Sequence, residues 1–144
     1  MILPVIAEAL RDDSILNDWC MSNLGALPNI MIGIDEFSPP EKDSYPLVVM
    51  SDIETSGEGM DSNYVTYSIP VSCGVINDEV SVSGRIVTYS GMIQCELFRV
   101  QVAEALQRNF QKIKAVIKVD ANAASIAAHP LYVSTMAVDF RTRK

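Results

Sequence analysis

Hydrophobic and polar residues alternate most regularly over residues 64–76, which read YVTYSIPVSCGVI. The odd-numbered positions are apolar: Val65, Tyr67, Ile69, Val71, Cys73 and Val75. The even-numbered positions are smaller or more polar: Tyr64, Thr66, Ser68, Pro70, Ser72 and Gly74. This alternation predicts a long strand with its odd-numbered face in the core. Pro70 has no N–H to donate, so it indicates a sheet edge or a bulge at its position.

The first 25 residues have a helical pattern of apolar positions. Pro4 suits the first turn of a helix, where a missing N–H costs nothing. A polar break follows, in which Asp13 or Ser14 is suited to cap a second short helix that Gly25 ends. We therefore predict one bent helix or two short helices here.

The remaining short strands and their turns complete the predicted fold. Strand patterns occupy residues 29–37, 46–54, 79–90, 112–120 and 131–142, and residues 121–130 read as an alanine-rich connector. A turn at Asn77 and Asp78 predicts that the 64–76 strand pairs with 79–90 as a hairpin with long arms. The prediction is an α+β fold of one domain, residues 1–144. A mainly antiparallel sheet with a long hairpin packs against an N-terminal helix and one long amphipathic helix.

Residues 91–110 give the strongest helical pattern in the chain. One apolar stripe contains Cys95, Phe98, Val102, Ala105 and Leu106. A second apolar set, Ile93, Leu97 and Val100, lies on a different side of the same helix. A helix in a small monomer normally needs one apolar face, so the second face predicts contact with another subunit or with another element of the same chain.

Charge is unevenly distributed along the chain. Residues 1–100 hold four Lys/Arg and fifteen Asp/Glu, a net −11, whereas residues 101–144 hold seven and three, a net +4. The acidic body argues against general nucleic-acid binding, which needs clustered basic residues. The basic end contains Arg141, Arg143 and Lys144, and it is suited to contact an acidic surface on another subunit or protein.

The cysteines and the apolar runs indicate a cytoplasmic type of chain. Cys20, Cys73 and Cys95 are odd in number and set in apolar patterns, which predicts free buried thiols. The N-terminus lacks the pattern of a secretory signal, and no apolar stretch is long enough to span a bilayer.

Catalytic and metal-binding patterns are weak. The single histidine, His129, lies in a predicted connector with no nucleophile motif or metal-ligand spacing around it. The loop TSGEGMDSN lacks phosphate-binding spacing, and its partial calcium-loop character through Glu58, Asp61 and Asn63 is incomplete. We predict no catalytic, cofactor-binding or metal-binding residues and no enzyme activity.

In order and length, the predicted elements resemble the tail terminator proteins of long-tailed bacteriophages, the group that includes minor tail protein U. The resemblance is one of pattern and order over nearly the whole chain. It is carried by LPVIAEALRDDSILNDW, DSYPLVVMSDIE, YVTYSIPVSCGVI, MIQCELFRVQVAEALQRNF and HPLYVSTMAVDFRTRK.

This resemblance implies an α+β subunit of a homohexameric ring on the end of the tail tube. Such a ring stops tube polymerisation and offers the head connector a docking surface. It needs no cofactor, and its partners are its own copies, the tail tube protein and the head-connector or neck proteins, with no specific nucleic acid and no membrane. It is assembled in the host bacterial cytoplasm and ends in the virion neck.

A ring requires two different patches on each subunit. Candidate subunit-interface residues are Ile93, Leu97 and Val100 on the long helix and Tyr64, Thr66, Ser68 and Pro70 on the long strand. Candidate partner-contact residues are Arg141, Arg143 and Lys144.

Two alternatives remain open. One is a head–tail joining or head-completion protein, which belongs to the same structural class. The other is a cytoplasmic small-molecule-binding α+β domain or enzyme, which requires a deep pocket with converging polar groups.

Overall fold

The computed structural model describes residues 2–35, 37–38, 40–57 and 63–143. Its helices are α1 (Ile2–Arg11), α2 (Ser14–Leu24), α3 (Ser90–Arg108) and α4 (Phe110–Ile113), with a 3-10 turn at Lys42–Ser44. Its strands are β1 (Asn29–Ile32), β2 (Leu47–Met50), β3 (Glu54–Gly57), β4 (Tyr64–Ile76), β5 (Val80–Ser83), β6 (Ile86–Tyr89), β7 (Val116–Ala128) and β8 (Leu131–Arg143).

The chain begins with two helices, as one of the two predicted arrangements requires. Asp13 separates them and caps α2 by accepting a 2.8 Å hydrogen bond from the N–H of Leu16. Gly25 ends α2 with a φ of 75°, a left-handed conformation that glycine adopts without steric cost. The capping residue and the terminating glycine are both those expected from the sequence.

The main sheet is mostly antiparallel. Its strands lie in the order β1–β2–β4–β8–β7, and β3 pairs with β4 beyond the end of β2. The β1–β2 pair is parallel and the other pairs are antiparallel. The α+β class, with a mainly antiparallel sheet packed against the N-terminal helices and one long helix, is confirmed.

One face of this sheet forms the core together with the helices. On β4 the odd-numbered positions from Ile69 to Val75 are buried, as the alternation predicts. The predicted apolar stripe of α3 is also buried, and it packs in one cluster with residues of α1, α2 and the sheet. The stripe consists of Cys95, Phe98, Val102, Ala105 and Leu106. Trp19 of α2 stacks on Phe98 with ring centroids 6.2 Å apart, which joins the N-terminal helices to α3.

The predicted pairing of residues 64–76 with 79–90 is wrong. Strand β4 instead pairs along its whole length with β8, from Tyr64 opposite Arg143 to Ile76 opposite Leu131. The long hairpin of the fold is β7–β8, and the predicted alanine-rich connector supplies the second half of β7. Alanine has low strand propensity, but pairing with β8 determines its conformation here.

Strand β4 is an interior strand, so of the two predicted explanations of Pro70 the sheet edge is wrong, whereas an irregularity in the pairing does lie beside it. Its partner on one side changes along its length: β2 pairs with Val71–Gly74 and β3 pairs with Val65–Ser68. Pro70 lies in the interval between these two pairings, opposite Ala137 of β8. The residue without an N–H therefore coincides with a break in the neighbouring strand, where Asp52 also adopts a positive φ of 54°.

Strands β5 and β6 form a separate two-stranded hairpin, which we call the arm (residues Val80–Tyr89). Its turn contains Gly84 with a φ of 61°. At its base, the N–H of Ser90 donates to the carbonyl of Glu79 at 3.3 Å. The ring of Tyr89 meets that of His129 edge-on, with centroids 5.1 Å apart. The arm is thus attached to the β7–β8 turn at one end, and all of its strand positions except Thr88 are exposed.

Candidate interaction surfaces

The second apolar set of α3 lies at the surface and defines the first candidate site. We call Ile93, Leu97 and Val100 the helix stripe, because their spacing of four and three residues places them on one side of the helix. Their exposed fractions are 55%, 51% and 38%. No element within the described ranges covers them, so the alternative that another part of the same chain packs on this face is not supported there.

The arm is the second candidate site, and the register of its two strands determines which residues share a face. Val80 faces Tyr89 and Val82 faces Val87 across the two strands. Opposed residues of an antiparallel pair point to the same side, and so do alternate residues of one strand. Val80, Val82, Val87 and Tyr89 therefore form one apolar face of the arm. Val82 is 68% exposed, so this face is not covered by the body of the subunit.

The arm is a candidate site that the sequence pattern did not reveal. Residues 79–90 alternate regularly enough to extend a long sheet, and that pattern was assigned to a hairpin with β4. The usable signal was Gly84, which sits between two short apolar runs and breaks the segment into a hairpin of its own.

The outer face of the main sheet contains the other predicted interface residues. Tyr64, Thr66, Ser68 and Pro70 lie on the face of β4 that points away from the helices. Register places Arg143 beside Tyr64 and Arg141 beside Thr66. The structure thus brings two predicted sets together, the strand residues and the basic end of the chain. Lys144, the last predicted partner-contact residue, lies outside the described residues.

Polar contacts organise this outer face. The guanidinium carbon of Arg141 lies 4.3 Å from the centre of the Tyr64 ring, within the range of a cation–π contact. Ser68 Oγ donates to Asp139 Oδ1 at 2.6 Å, and the hydroxyls of Ser72 and Thr135 lie 2.8 Å apart. These pairs link β4 to β8 through side chains and give this face a largely polar surface.

The carboxylate of Glu96 joins α3 to the β7–β8 hairpin. Glu96 accepts hydrogen bonds from the hydroxyls of Ser125 and Ser134 and from Nη2 of Arg99. Hydrogen bonding from Ser125 and then from Arg99 lowers the pKa of the Glu96 carboxyl despite its partial burial. Because each oxygen of Glu96 is occupied by structural donors, this group is suited to fix the helix on the sheet rather than to transfer protons.

A cavity of about 430 Å³ lies beside α2, the 3-10 turn and the start of α3. Polar side chains line it, including Asn77, Gln94 and Tyr45. Asn77 Nδ2 donates to Gln94 Oε1 at 2.6 Å, and Gln94 Nε2 donates to the carbonyl of Asn23 at 3.2 Å. These amides are held by one another and by the backbone, while the charged side chains of Lys42 and Asp78 also line the cavity.

Other site chemistry is limited in the part of the chain that the structure describes. No group of three or more His, Cys, Asp or Glu side chains is arranged to hold a metal ion there. Glu58 and Asp61 of the partial calcium-loop pattern lie outside the described residues, whereas Asn63 lies within them. Among the described helices, none is long and apolar enough to cross a membrane.

The histidine contacts a neighbouring tyrosine, and the cysteines are buried in the core. His129 Nδ1 lies 2.8 Å from the hydroxyl of Tyr132, in the turn between β7 and β8. The three cysteines are free and buried, as predicted. Burial raises the pKa of the Cys20 thiol to about 12 and that of the Cys95 thiol to about 11, so both remain protonated at neutral pH.

No protein-family model matches the chain, and no curated protein is significantly similar to it in sequence.

Proposed function

We propose that this protein is a tail terminator of a long-tailed bacteriophage, which forms a ring on the end of the tail tube, stops its polymerisation and docks the head connector. The observation that carries the proposal is the presence of two separate apolar surfaces on one subunit, the helix stripe and the arm. A subunit with two different patches is what a closed head-to-tail ring requires.

The outer face of the sheet is suited to a second, electrostatic contact with a partner protein. Arg141 and Arg143 lie there in register with Thr66 and Tyr64. The chain as a whole carries a net charge of −7, so a local basic edge offers a sign-specific contact for an acidic partner surface. This surface is the proposed docking region for the tube or the connector.

The proposed ring is tested by changing the helix stripe. Leu97→Asp and Val100→Asp place a charge on exposed positions, so the subunit should keep its fold and thermal midpoint but lose its oligomers. Sedimentation velocity and negative-stain electron microscopy measure the outcome. Ile15→Asp is a matched control, because Ile15 is likewise an aliphatic residue about half exposed on a helix but lies outside both surfaces. A wild-type chain that stays monomeric at high concentration, with and without tail tube protein, would contradict the ring.

The proposed place in assembly is tested by disrupting the gene in the genome that encodes it. Loss of a terminator should give overlong tail tubes, which electron microscopy measures directly. Tails of normal length beside unattached heads would instead identify a head–tail joining or head-completion protein.

A small-molecule-binding domain or enzyme is the alternative of another class, and the cavity beside α2 is the feature that favours it. Its test is native mass spectrometry of the purified chain. A stoichiometric bound compound that is lost when Gln94 is replaced by Leu would support this alternative over the ring.

A further inference from the structure

We propose that the arm of one subunit packs on the helix stripe of the next copy, with Arg85 of the arm beside Glu104 at the end of that stripe. The inference rests on the proposed ring and identifies the contact that builds it. Its elements are the apolar face of the arm, the exposed stripe on α3 and one charged residue beyond each of them.

The arm needs a partner because it is a two-stranded ribbon with an uncovered apolar face. Isolated two-stranded hairpins are marginal in water and normally need a third strand or a helix to cover one face. Here Val80, Val82, Val87 and Tyr89 are all at least two-fifths exposed. The base of the arm contacts the body through the rings of Tyr89 and His129. A second protein surface is therefore expected on this face.

The helix stripe has complementary chemistry. Ile93, Leu97 and Val100 project away from the buried side of α3, where Cys95 and Phe98 face the sheet. A β-ribbon packed on a helix buries a row of β-branched residues against a row of helix residues. Valines from the arm and aliphatic side chains from the stripe are suited to this packing.

The two charges are within reach of each other in this arrangement. Arg85 lies in the turn of the arm, beyond the last pair Ser83–Ile86, so its backbone is at most about 7 Å past Val82 along the ribbon, and its long side chain extends further. Glu104 lies one turn beyond Val100 on the same side of α3, and about 10 Å along the axis from Leu97. If Val82 lies on Leu97, Arg85 therefore reaches Glu104. Arg85 has no ion pair within the ranges that the structure describes, and Glu104 is exposed.

The contact is between copies rather than within one chain, because both surfaces are exposed in the same subunit. It is also heterologous, since an arm meets a helix and not another arm. Each subunit then offers one arm and one stripe, which is the head-to-tail type of contact that builds a ring when its rotation closes.

Site-directed cross-linking tests this placement. Val82→Cys and Leu97→Cys put thiols on exposed positions, while the three native thiols are buried and remain protonated at neutral pH. The two single variants, mixed and treated with a short bismaleimide, should give a covalent dimer that neither gives alone. One chain carrying both changes should give a ladder of covalent oligomers up to the size of the ring. Circular dichroism and the thermal midpoint check that each variant is folded.

A charge exchange tests the Arg85–Glu104 pair. Arg85→Glu and Glu104→Arg should each weaken self-association by about tenfold, because each places like charges together. The double variant should recover most of the wild-type association. Recovery in the double variant is not expected if the two residues act at separate places.

The outcomes separate this inference from the proposed function. A ring seen by electron microscopy without a Val82→Cys to Leu97→Cys cross-link overturns the arm-to-helix contact and leaves the terminator proposal in place. An equally strong cross-link in Val82→Cys alone indicates contact between two arms and also overturns it. Normal tail length after gene disruption, with the cross-linked ladder present, overturns the terminator function but supports the contact.

Discussion

Asp13 and Arg108, 95 positions apart in the sequence, are joined by two hydrogen bonds, from Nη2 to Oδ1 at 2.7 Å and from Nε to Oδ2 at 3.1 Å. The Asp13 carboxylate also accepts from the N–H of Leu16 and from Nδ2 of Asn109. One nearly buried carboxylate thus caps α2 and holds the C-terminal end of α3 beside it. The position of α3, and therefore of the helix stripe, depends on this contact.

We expect Asp13→Ala to lower the free energy of unfolding by about 2–4 kcal/mol, because it removes a helix cap and leaves a partly buried guanidinium without its partner. Asp13→Asn should cost less, since asparagine also caps helices. Asp12→Ala is the matched control. Its partner is Arg11 at the surface, and an exposed pair of this kind contributes little to stability. Urea unfolding measures all three. An equal loss in Asp12→Ala and Asp13→Ala would contradict the role of Asp13.

The same carboxylate predicts a pH dependence. Burial by itself raises the pKa of Asp13, but hydrogen bonds from Arg108, Leu16 and Asn109 outweigh it, so the pKa in the folded state lies below the ordinary value. A group with a lowered folded pKa contributes stability above its unfolded pKa, about 3.9, and loses it as the pH falls through the folded pKa. The difference in unfolding free energy between wild type and Asp13→Asn should be constant from about pH 5 to 7 and shrink below about pH 4. A difference that grows on acidification would contradict the assignment.

Gly91 gives a prediction about packing at the start of α3. A Cβ built at this position would lie 2.5 Å from the ring of Tyr132, which is buried, and 3.0 Å from Cβ of Asn77. Gly91→Ala should therefore destabilise the protein by about 1–3 kcal/mol, although the same change in an open helix position is stabilising. Gly57→Ala is the control, because apart from its chain neighbours no atom of the described residues lies within 4 Å of its added Cβ. A thermal midpoint of Gly91→Ala above that of wild type would show that Tyr132 moves freely.

Pro70 gives a prediction about assembly. Because β4 is paired with β8 on one side and with β2 and β3 on the other, it offers no open edge to another subunit. Pro70→Val should leave the sedimentation profile and the solubility unchanged. Leu97→Asp provides the contrast, since it is expected to abolish oligomers. Loss of oligomers in Pro70→Val alone would show that this part of the outer sheet face is an interface.

The local elements of the fold are largely present in the sequence, because each follows from nearby residues. Asp13 and Gly25 mark the ends of α2 by their own backbone and side-chain chemistry. The buried stripe of α3 follows from helical spacing, and the buried face of β4 follows from alternation. The helix stripe was also predicted, since Ile93, Leu97 and Val100 do not fit on the buried side of the same helix.

The pairing of the strands was not predictable in the same way. Residues 64–76 and 79–90 are adjacent and both alternate, which favours a local hairpin. Only the tertiary structure shows that β8, more than fifty residues later, pairs with β4 over thirteen positions and displaces the arm from the sheet. The β4–β8 ladder places Ile69, Val71 and Val75 in the core, and the alanines of β7 pair with the other edge of β8. Sequence alone thus determined which faces are apolar, while long-range pairing decided which of those faces, the arm and the helix stripe, remain exposed for a partner.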